Sequence, residues 1–545
     1  MRFGAALATL LLGILPLQAE LTLDDIRSRP PSNARNFLIW QYLDQNITSE
    51  QADEAFYLIR DVNWRLFFDY AQKSDRPEVK YTAKCMKMGI RELRKTHDAT
   101  CAEIAVSIGK LSAMHRTDRD RLVELVDDPA LREAAAILND EAFREHYRRY
   151  SPALFLRVFN GSYGNARRRL FNFIPDYDYM QKLAKSPGFT SAVMSAINDD
   201  KLSRFAWALT KVDAVKELDP RGLFYLGINQ LLRGKSARAI ELFQLSGDKA
   251  YYQSDKDKAL FWQALASGEN SLMWELLAES WDINFYSLYA KEKTGTFPDN
   301  FYAGIETNNT VSDLNISDPF VWNDLLQTIK TTPKAELRQL ARRYTAKNLA
   351  PLQSFIIEKA SDYRLQSYIM PYDDAMGETD IDTKAIVYAL MRQESRFIPA
   401  ALSHSYALGL MQMMPFLCRA LDGKVDCSRR TLFDMFDPRT NLYYAKFHIA
   451  WLQQRVYHPL FIAYAYNGGI GFTKRYLQSG TFAPKPYEPF LSMELMRNTE
   501  TREYGKKVLT NYVVYKKILG EPVSLIRLCD TLLHPAKTDR FRSAK

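Results

Sequence analysis

The sequence lacks several features that would point to a membrane, metal or redox protein. After its N-terminal segment no stretch approaches the ~18 consecutive apolar residues of a membrane-spanning helix. Only five cysteines and seven histidines occur in 545 residues, and neither Cys-x-x-Cys nor His-x-x-x-His is present. Because zinc and redox sites commonly use such spacings, we expect no metal and no cofactor. The sequence therefore predicts that any association with a membrane is peripheral.

The N-terminus has the pattern of a secretory signal peptide. Met1 and Arg2 form a short basic start, and residues 5–15 are almost entirely apolar. Ala19 then offers a cleavage site before Glu20. No cysteine follows this site, so a lipoprotein anchor is not indicated. We expect residues 1–19 to be removed and the mature protein to be periplasmic.

Overall composition is that of a folded protein with an anionic partner. Hydrophobic residues make up 47% of the chain and charged residues 25%, and the length predicts two to four domains. The formal net charge of +9 favours anionic ligands. Nucleic acid is a poor candidate, because the best basic run is the single triplet 167–169. An anionic polymer encountered after export would satisfy the same electrostatics.

The five cysteines suggest isolated disulfides and not a disulfide scaffold. Cys418 and Cys427 are close in sequence, and we predict a disulfide between them. Cys85 and Cys101 form a second possible pair, which leaves Cys529 without a partner.

Residues 22–300 carry a continuous helical pattern, with apolar positions three and four residues apart. Thr48 to Gln51 is typical of a capping box at a helix start. The stretch 223–277 resembles two helical hairpins of the tetratricopeptide kind, since Gly234 and Gly268 lie 34 residues apart. Such hairpins bury their apolar faces only by stacking, which predicts a curved solenoid.

Changes in composition predict the domain boundaries. Residues 291–318 contain glycine, proline and several asparagines, and a second break follows at 371–374. We therefore expect an all-α protein with four segments. These are a signal peptide at 1–19, a superhelical domain at 20–300, a helical linker domain at 301–372 and a C-terminal domain at 373–545. The polar tail 537–545 is expected to be frayed.

Glu394 is the first candidate for a catalytic residue. Residues 384–397 read as an amphipathic helix whose apolar positions continue onto Glu394. Burial and the negative end of the helix dipole both disfavour its charge and would raise its pKa. A general acid needs such a shift. Position alone leaves the alternative that Glu394 points to solvent or pairs with Arg392 or Arg396.

Further motifs follow Glu394 in a fixed order. Nine residues later comes Ser403, then Ala-Leu-Gly-Leu-Met-Gln-Met-Met-Pro at 407–415, Ala-Tyr-Asn-Gly-Gly at 465–469 and Glu-Thr-Arg-Glu-Tyr at 500–504. This set resembles the soluble lytic transglycosylase family, whose catalytic domain is similar to goose-type lysozyme. The resemblance covers roughly residues 381–520. It implies a mainly α, lysozyme-like fold for the C-terminal domain.

The resemblance implies a role for individual residues. Glu394 would be the catalytic acid and base, and no metal or cofactor would be needed. Six further positions would line a saccharide groove, namely Ser403, Gln412, Met414, Tyr466, Asn467 and Glu500. Glu503 competes with Glu500 for the last of these positions.

The function implied is cleavage of the β-1,4 bond between MurNAc and GlcNAc in peptidoglycan glycan strands. The muramoyl C6 hydroxyl would attack C1 and form 1,6-anhydroMurNAc. Two alternatives remain open. A lysozyme-type hydrolase would share the fold and Glu394 but would use water, and a helical-repeat scaffold would have no activity.

Overall fold

The structure of the chain is a computed structural model, which describes residues 21–213, 215–425 and 431–542. The expected signal peptide lies outside the described residues. Helices dominate throughout, so the prediction of an all-α protein is confirmed. In the described part of the chain no helix is both long enough and apolar enough to cross a membrane.

The N-terminal half is an array of short helices. Its α-helices are, in chain order, Leu23–Arg27 (α1), Asn33–Tyr42 (α2), Ser49–Tyr57 (α3), Trp64–Lys73 (α4), Pro77–Met86 (α5), Ile90–Leu93 (α6), Ala99–Ala105 (α7), Ile108–Ser112 (α8), Arg116–Leu125 (α9), Pro129–Asn139 (α10), Phe143–His146 (α11), Pro152–Gly161 (α12), Gly164–Phe171 (α13), Tyr177–Ala184 (α14), Phe189–Ile197 (α15), Ser203–Ala208 (α16), Pro220–Leu231 (α17), Ser236–Lys249 (α18), Gln253–Ser267 (α19), Met273–Ala278 (α20) and Phe285–Lys293 (α21). Single 3₁₀ turns occur here at Tyr147–Arg149, Asp200–Leu202, Leu209–Lys211 and Val215–Glu217.

Several local predictions for this array are confirmed. Thr48 caps α3 through the expected capping box with Gln51. The two predicted hairpins are α17–α18 and α19–α20. Gly234, with φ +72°, lies in the turn of the first, and Gly268, with φ +102°, ends α19 in the second. Cys85 and Cys101 form a disulfide that joins α5 to α7.

A small helical unit with its own core follows the array. Its elements are Phe301–Tyr302 (β1), Pro319–Thr331 (α22), Leu337–Ala341 (α23), Ala350–Ala360 (α24) and Gln366–Ser367 (β2), with 3₁₀ turns at Lys334–Glu336 and Lys347–Leu349. The strands pair in parallel. This two-residue pairing is too short to leave a strand pattern in the sequence. The core of this unit also takes in Ile398 and Ala400, which directly follow the Glu394 helix.

The C-terminal part is a compact set of helices. They are Asp373–Met376 (α25), Ile381–Ser395 (α26), Pro415–Leu421 (α27), Pro438–Gln453 (α28), Pro459–Gly468 (α29), Ile470–Gln478 (α30), Phe490–Leu495 (α31), Thr499–Ile518 (α32), Leu525–Thr531 (α33) and Pro535–Thr538 (α34), with a 3₁₀ helix at Leu432–Phe436. Helix α32 packs along both α26 and α29. The domain boundaries expected from composition stay predictions.

Two expectations for this part are wrong. Helix α26 is not amphipathic, because residues 385–391 are all buried and neighbouring elements surround it. It ends at Ser395, since Arg396 and Phe397 take left-handed φ values of 50° and 68°. The polar tail is not frayed up to residue 542. Asp539 is fully buried, and its carboxylate accepts hydrogen bonds from the Arg542 guanidinium and backbone.

Both ends of the N-terminal array contact the C-terminal part. Near the start, the Asn33 side chain donates to the backbone oxygens of Leu402 and Ser403. Near the end, Tyr286 of α21 lies between Glu494 and Lys506, accepting a 2.7 Å hydrogen bond from the Lys506 ammonium. The array therefore begins and ends against the part of the chain that carries Glu394.

The predicted second disulfide would join Cys418 to Cys427. Cys418 is buried in α27, whereas Cys427 lies outside the described residues. The pairing stays a prediction.

Candidate active site

Glu394 is the penultimate residue of α26, at the negative end of the helix dipole. Its side chain is partly accessible, but protein surrounds the carboxyl group. Burial raises its pKa from 4.5 to about 7, and the nearby charge of Glu500 acts in the same direction. A carboxyl with this pKa holds its proton in a large fraction of molecules at neutral pH. The predicted direction of the shift is confirmed.

Tyr504 is the hydrogen-bond partner of Glu394. Its hydroxyl donates to Glu394 Oε1 at 2.6 Å, which favours the carboxylate and partly offsets the effect of burial. Tyr504 lies one turn after Glu500 on α32, so both side chains share a face of that helix. Sequence reasoning quoted this tyrosine within a motif but gave it no role. Its i+4 spacing from Glu500 is the signal that could have identified it.

Of the two competing glutamates, Glu500 is the one close enough to act on Glu394. Its side chain is exposed, and its Oε1 accepts a 3.1 Å hydrogen bond from Asn467. Glu503 instead pairs with Arg502 at 2.7 Å and Lys506 at 3.1 Å. These cations hold the pKa of Glu503 far below its usual range, despite its burial. Glu503 therefore belongs to a separate ionic cluster.

Helix α29 supplies two of the predicted residues from its last turn. Tyr466 lies within electrostatic reach of Glu394, and burial with that carboxylate raises the pKa of the phenol. Its hydroxyl donates to the backbone oxygen of Met411 at 2.7 Å. Asn467 is held by Thr501, whose hydroxyl donates to Asn467 Oδ1 at 2.7 Å. The helix ends at Gly468, where an added Cβ would meet Thr501 Oγ1 at 2.8 Å.

The loop between α26 and α27 carries Ser403, Gln412 and Met414. The Gln412 amide nitrogen donates to the backbone oxygens of Ala401 and Gly409, both at 2.9 Å. This amide therefore holds the loop together and leaves its oxygen for a ligand. Met414 is half-buried and caps α27.

Ser403 has a structural role in the same loop. Its hydroxyl accepts a 2.9 Å hydrogen bond from the Ala407 backbone, and its carbonyl accepts from Asn33. Among the described residues none of its contacts reaches Glu394.

Asn441 of α28 is a supporting residue that sequence reasoning missed. It is fully buried, and its amide donates to the backbone oxygens of Leu408 and Met435 while its oxygen accepts from Met411. Gly409 packs against it with φ +72°, and an added Cβ would lie 2.4 Å from Asn441 Nδ2. A single asparagine that lies 30 residues after Met411 and 33 residues after Leu408 leaves no sequence pattern.

The site therefore joins four elements around Glu394: the last turns of α26 and α29, the first turns of α32, and the loop before α27. Its contacts link Glu394, Tyr466, Tyr504, Glu500 and Asn467 directly or through one neighbour. Among the described residues no cluster of three or more potential metal ligands occurs.

Comparison with known proteins finds a family model that matches the part of the chain around Glu394. Residues 374–486 match the family model described as the transglycosylase SLT domain. The chain carries a transglycosylase SLT domain. The predicted resemblance to soluble lytic transglycosylases is thereby confirmed. The match contains Glu394 and every predicted groove residue except Glu500, which lies beyond its end together with Tyr504.

Two curated relatives are similar in sequence to part of this chain. A putative soluble lytic murein transglycosylase of Haemophilus influenzae is 28% identical over 204 residues, covering 36% of this chain and 33% of that protein. The soluble lytic murein transglycosylase of Escherichia coli K12 is 24% identical over 304 residues, covering 50% of this chain and 45% of that protein. The aligned region therefore spans less than half the length of these relatives.

A solved structure shares the fold over most of the chain. The 70-kDa soluble lytic transglycosylase in complex with bulgecin A is 17% identical, with a TM-score of 0.50. The match covers 92% of this chain and 84% of that chain. The similarity thus extends well beyond the SLT domain and includes the helical array.

Proposed function

We propose that the chain is a lytic transglycosylase that cleaves the MurNAc–GlcNAc β-1,4 bond of peptidoglycan and forms 1,6-anhydroMurNAc ends. The observation that carries this proposal is the Glu394 carboxyl, whose pKa burial raises to about 7 inside an SLT domain. A carboxyl that is protonated near neutral pH can donate to a glycosidic oxygen, and the same group can accept a proton once it is ionised.

The proposed reaction has two proton transfers, both through Glu394. In the first, the carboxyl protonates the leaving GlcNAc oxygen while the muramoyl acetamido group supports the positive charge at C1. In the second, the Glu394 carboxylate takes the proton of the muramoyl C6 hydroxyl as its oxygen bonds to C1. The Tyr504 hydrogen bond to Oε1 would stabilise the carboxylate between the two steps.

The remaining residues would bind and orient the saccharide. The free oxygen of Gln412 and the Asn467 amide suit acetamido and hydroxyl groups, and Met414 suits the apolar edge of a sugar. Tyr466 would bring its ring alongside Glu394 while its hydroxyl stays bound to the Met411 carbonyl. Ser403 would act through the loop that it shapes, and Glu500 through Asn467 and its charge.

Export to the periplasm, with glycan strands as the partner, completes this proposal. The basic n-region and apolar run at 1–15 support export, and the net charge of +9 supports an anionic polymer as the substrate.

A lysozyme-type hydrolase is the second candidate, because a second carboxylate, Glu500, lies near Glu394. The two are separated by digesting purified sacculi in water enriched in ¹⁸O. A transglycosylase releases anhydro products without the label, about 20 Da lighter than the ¹⁸O-labelled products of a hydrolase. Products that carry one ¹⁸O at the reducing end would identify a hydrolase and contradict our proposal.

A further inference from the structure

The loop between α26 and α27 has two parts that share a backbone pairing. Its inner part, 408–413, carries the candidate groove residue Gln412. Its outer part, 402–406, we call the loop tip. Leu408 forms antiparallel bridges with both Leu402 of the loop tip and Met413. Because Gln412 directly precedes Met413, the path of the loop tip affects where Gln412 lies.

The loop tip lies against the first helices of the helical array. Four consecutive backbone carbonyls of the tip accept hydrogen bonds from array side chains. Asn33 of α2 donates to the carbonyls of residues 402 and 403 at 3.0 and 2.9 Å. Asn63, just before α4, donates to that of residue 404 at 2.9 Å, and Arg65 of α4 donates to that of residue 405 at 3.3 Å. These hydrogen bonds fix the path of the tip backbone at every residue from 402 to 405.

Tyr406 anchors the end of the loop tip in the array. The residue is fully buried, and its ring centroid lies 5.4 Å from those of both Phe37 and Trp40 of α2. Its hydroxyl donates to the backbone oxygen of Asn36 at 3.3 Å. The backbone of Tyr406 has φ +65°, in the left-handed region that non-glycine residues disfavour. Such a conformation persists where surrounding contacts fix it, and here the array supplies many of those contacts.

The candidate groove residue of this loop has a similarly disfavoured backbone. Gln412 has φ +46°, and its amide nitrogen bonds to two carbonyls of the same loop, so its orientation follows the shape of the loop. The family model matches residues 374–486, which contain the whole loop but none of the array side chains that hold its tip. The SLT domain by itself therefore lacks the partners of the loop tip.

We infer that the first helices of the array position the candidate active site, with Asn33 and Asn63 holding the loop tip and thereby placing Gln412 for the reaction. This inference rests on the proposed function. Asn33 and Asn63 are positioning residues, because they contact the loop and not the saccharide. This role differs from holding the glycan, since it acts on the shape of the SLT domain itself.

Hydrogen exchange of the full chain tests the inference without using activity. Asn33→Asp removes the amide donor but places an acidic residue in the first turn of α2, which the helix dipole favours, so the melting temperature should change little. The hydrogen-bonded amides of Tyr406, Leu408 and Met413 should exchange about tenfold faster, as expected for the loss of one or two hydrogen bonds. Asn165→Asp, an exposed position in the first turn of α13, is the matched control and should exchange like the wild type. Unchanged exchange of the loop in Asn33→Asp would overturn the inference.

A second variant separates the contact with the loop from the stability of an array helix. The Asn63 side-chain oxygen caps α4 by accepting a 2.9 Å hydrogen bond from the Leu66 backbone. Asn63→Asp keeps this acceptor and removes only the donor to the loop tip. We expect faster exchange in the loop and unchanged exchange in α4. Faster exchange in α4 alone would show that Asn63 serves its own helix and would contradict the positioning role.

A double-mutant cycle on kcat/KM for soluble glycan strands tests whether the array acts through Gln412. Asn33→Asp should lower kcat/KM about tenfold in the wild-type background. In the Gln412→Ala background it should have little further effect, because the side chain that it positions is gone. Equal losses in both backgrounds would overturn the inference. A wild type that cleaves no glycan would overturn the proposed function instead, and hydrogen exchange would still decide whether the array holds the loop.

Discussion

At the scale of single residues, the chemistry of Glu394 is set by two opposing environments. Burial at the end of α26 favours the protonated carboxyl, and the Tyr504 hydroxyl favours the carboxylate. The first effect is larger, because the pKa lies at about 7. A side chain that acts first as an acid and then as a base must populate both its protonated and its ionised form. A pKa near the working pH allows this.

Tyr504→Phe tests this balance. The substitution removes a hydrogen bond to the carboxylate, so it should raise the pKa of Glu394 and move the alkaline limb of kcat/KM to higher pH. The expected shift is about half a pH unit to one unit, the value of one hydrogen bond. Tyr512→Phe is the control, since Tyr512 lies on the same helix as Tyr504 but its hydroxyl donates to Asp382 of α26. A limb that stays in place or moves to lower pH would contradict the role of Tyr504.

The same pKa predicts a dependence of stability on pH. Ionising Glu394 costs more in the folded state, where its pKa is about 7, than in the unfolded state, where it is 4.5. The wild type should therefore lose stability as pH rises from 4.5 to 7, and Glu394→Gln should not. We expect the melting temperature of Glu394→Gln to rise relative to that of the wild type between pH 5 and pH 8. Glu133→Gln, at an exposed position of α10 far from Glu394 in the sequence, is the control. A constant difference in melting temperature between Glu394→Gln and the wild type would refute the shifted pKa.

The sequence predicted the site residues that stand in a motif. It did not predict those whose partners lie far away along the chain. Glu394, Gln412 and Tyr466 stand in recognisable motifs. Tyr504 contacts Glu394 across a separation of 110 residues, and its i+4 spacing from Glu500 is the local signal that points to this contact. Asn441 likewise serves only the backbone of another segment.

At the scale of elements, the loop before α27 depends on helix α28 for its shape. Asn441→Ala would leave the buried Met411 N–H without its partner and would remove one hydrogen bond each from the Leu408 and Met435 carbonyls, at a cost of roughly 2–4 kcal/mol. We expect a lower melting temperature and a large loss of activity, because Gln412 and Met414 lie in this loop. The control is Arg439→Ala, an exposed position of the same helix. Retention of both stability and activity by Asn441→Ala would show that the loop holds its shape independently.

The sequence predicted helix ends correctly where a capping box or a turn glycine marks them, as at Thr48 before α3 and Gly234 after α17. The error at α26 has a physical cause. Periodicity reports one apolar face, whereas α26 is covered on several sides by α32 and its neighbours. The sequence predicted a frayed tail because charged residues are usually exposed to solvent. In the structure, two of them, Asp539 and Arg542, pair with each other and hold the tail in place.

At the scale of the whole molecule, the helical array contacts the SLT-domain part at both of its ends. The buried group of Tyr286, Glu494 and Lys506 is shared between the two parts. Removing the array would expose the side chains of Glu494 and Lys506 that Tyr286 now covers. The role we expect for the array is to hold the glycan, not to carry a second catalytic site.

Truncation tests this role. The isolated region 371–545 should be less stable than the full chain and should digest sacculi more slowly at an equal concentration of folded protein, measured by circular dichroism. If it degraded sacculi as well as the full chain, the array would have no part in holding the substrate.

The central claim is that Glu394 transfers both protons in an intramolecular cleavage of glycan strands. The most direct measurement is the release of anhydromuropeptides from purified sacculi by wild-type protein and by Glu394→Gln, followed by mass spectrometry. General acid–base catalysis by one group contributes about 10²–10⁴-fold, and we expect a loss at or above the upper end because one residue serves both steps. Binding to sacculi should be retained. A Glu394→Gln variant with a tenth or more of wild-type activity would contradict the claim.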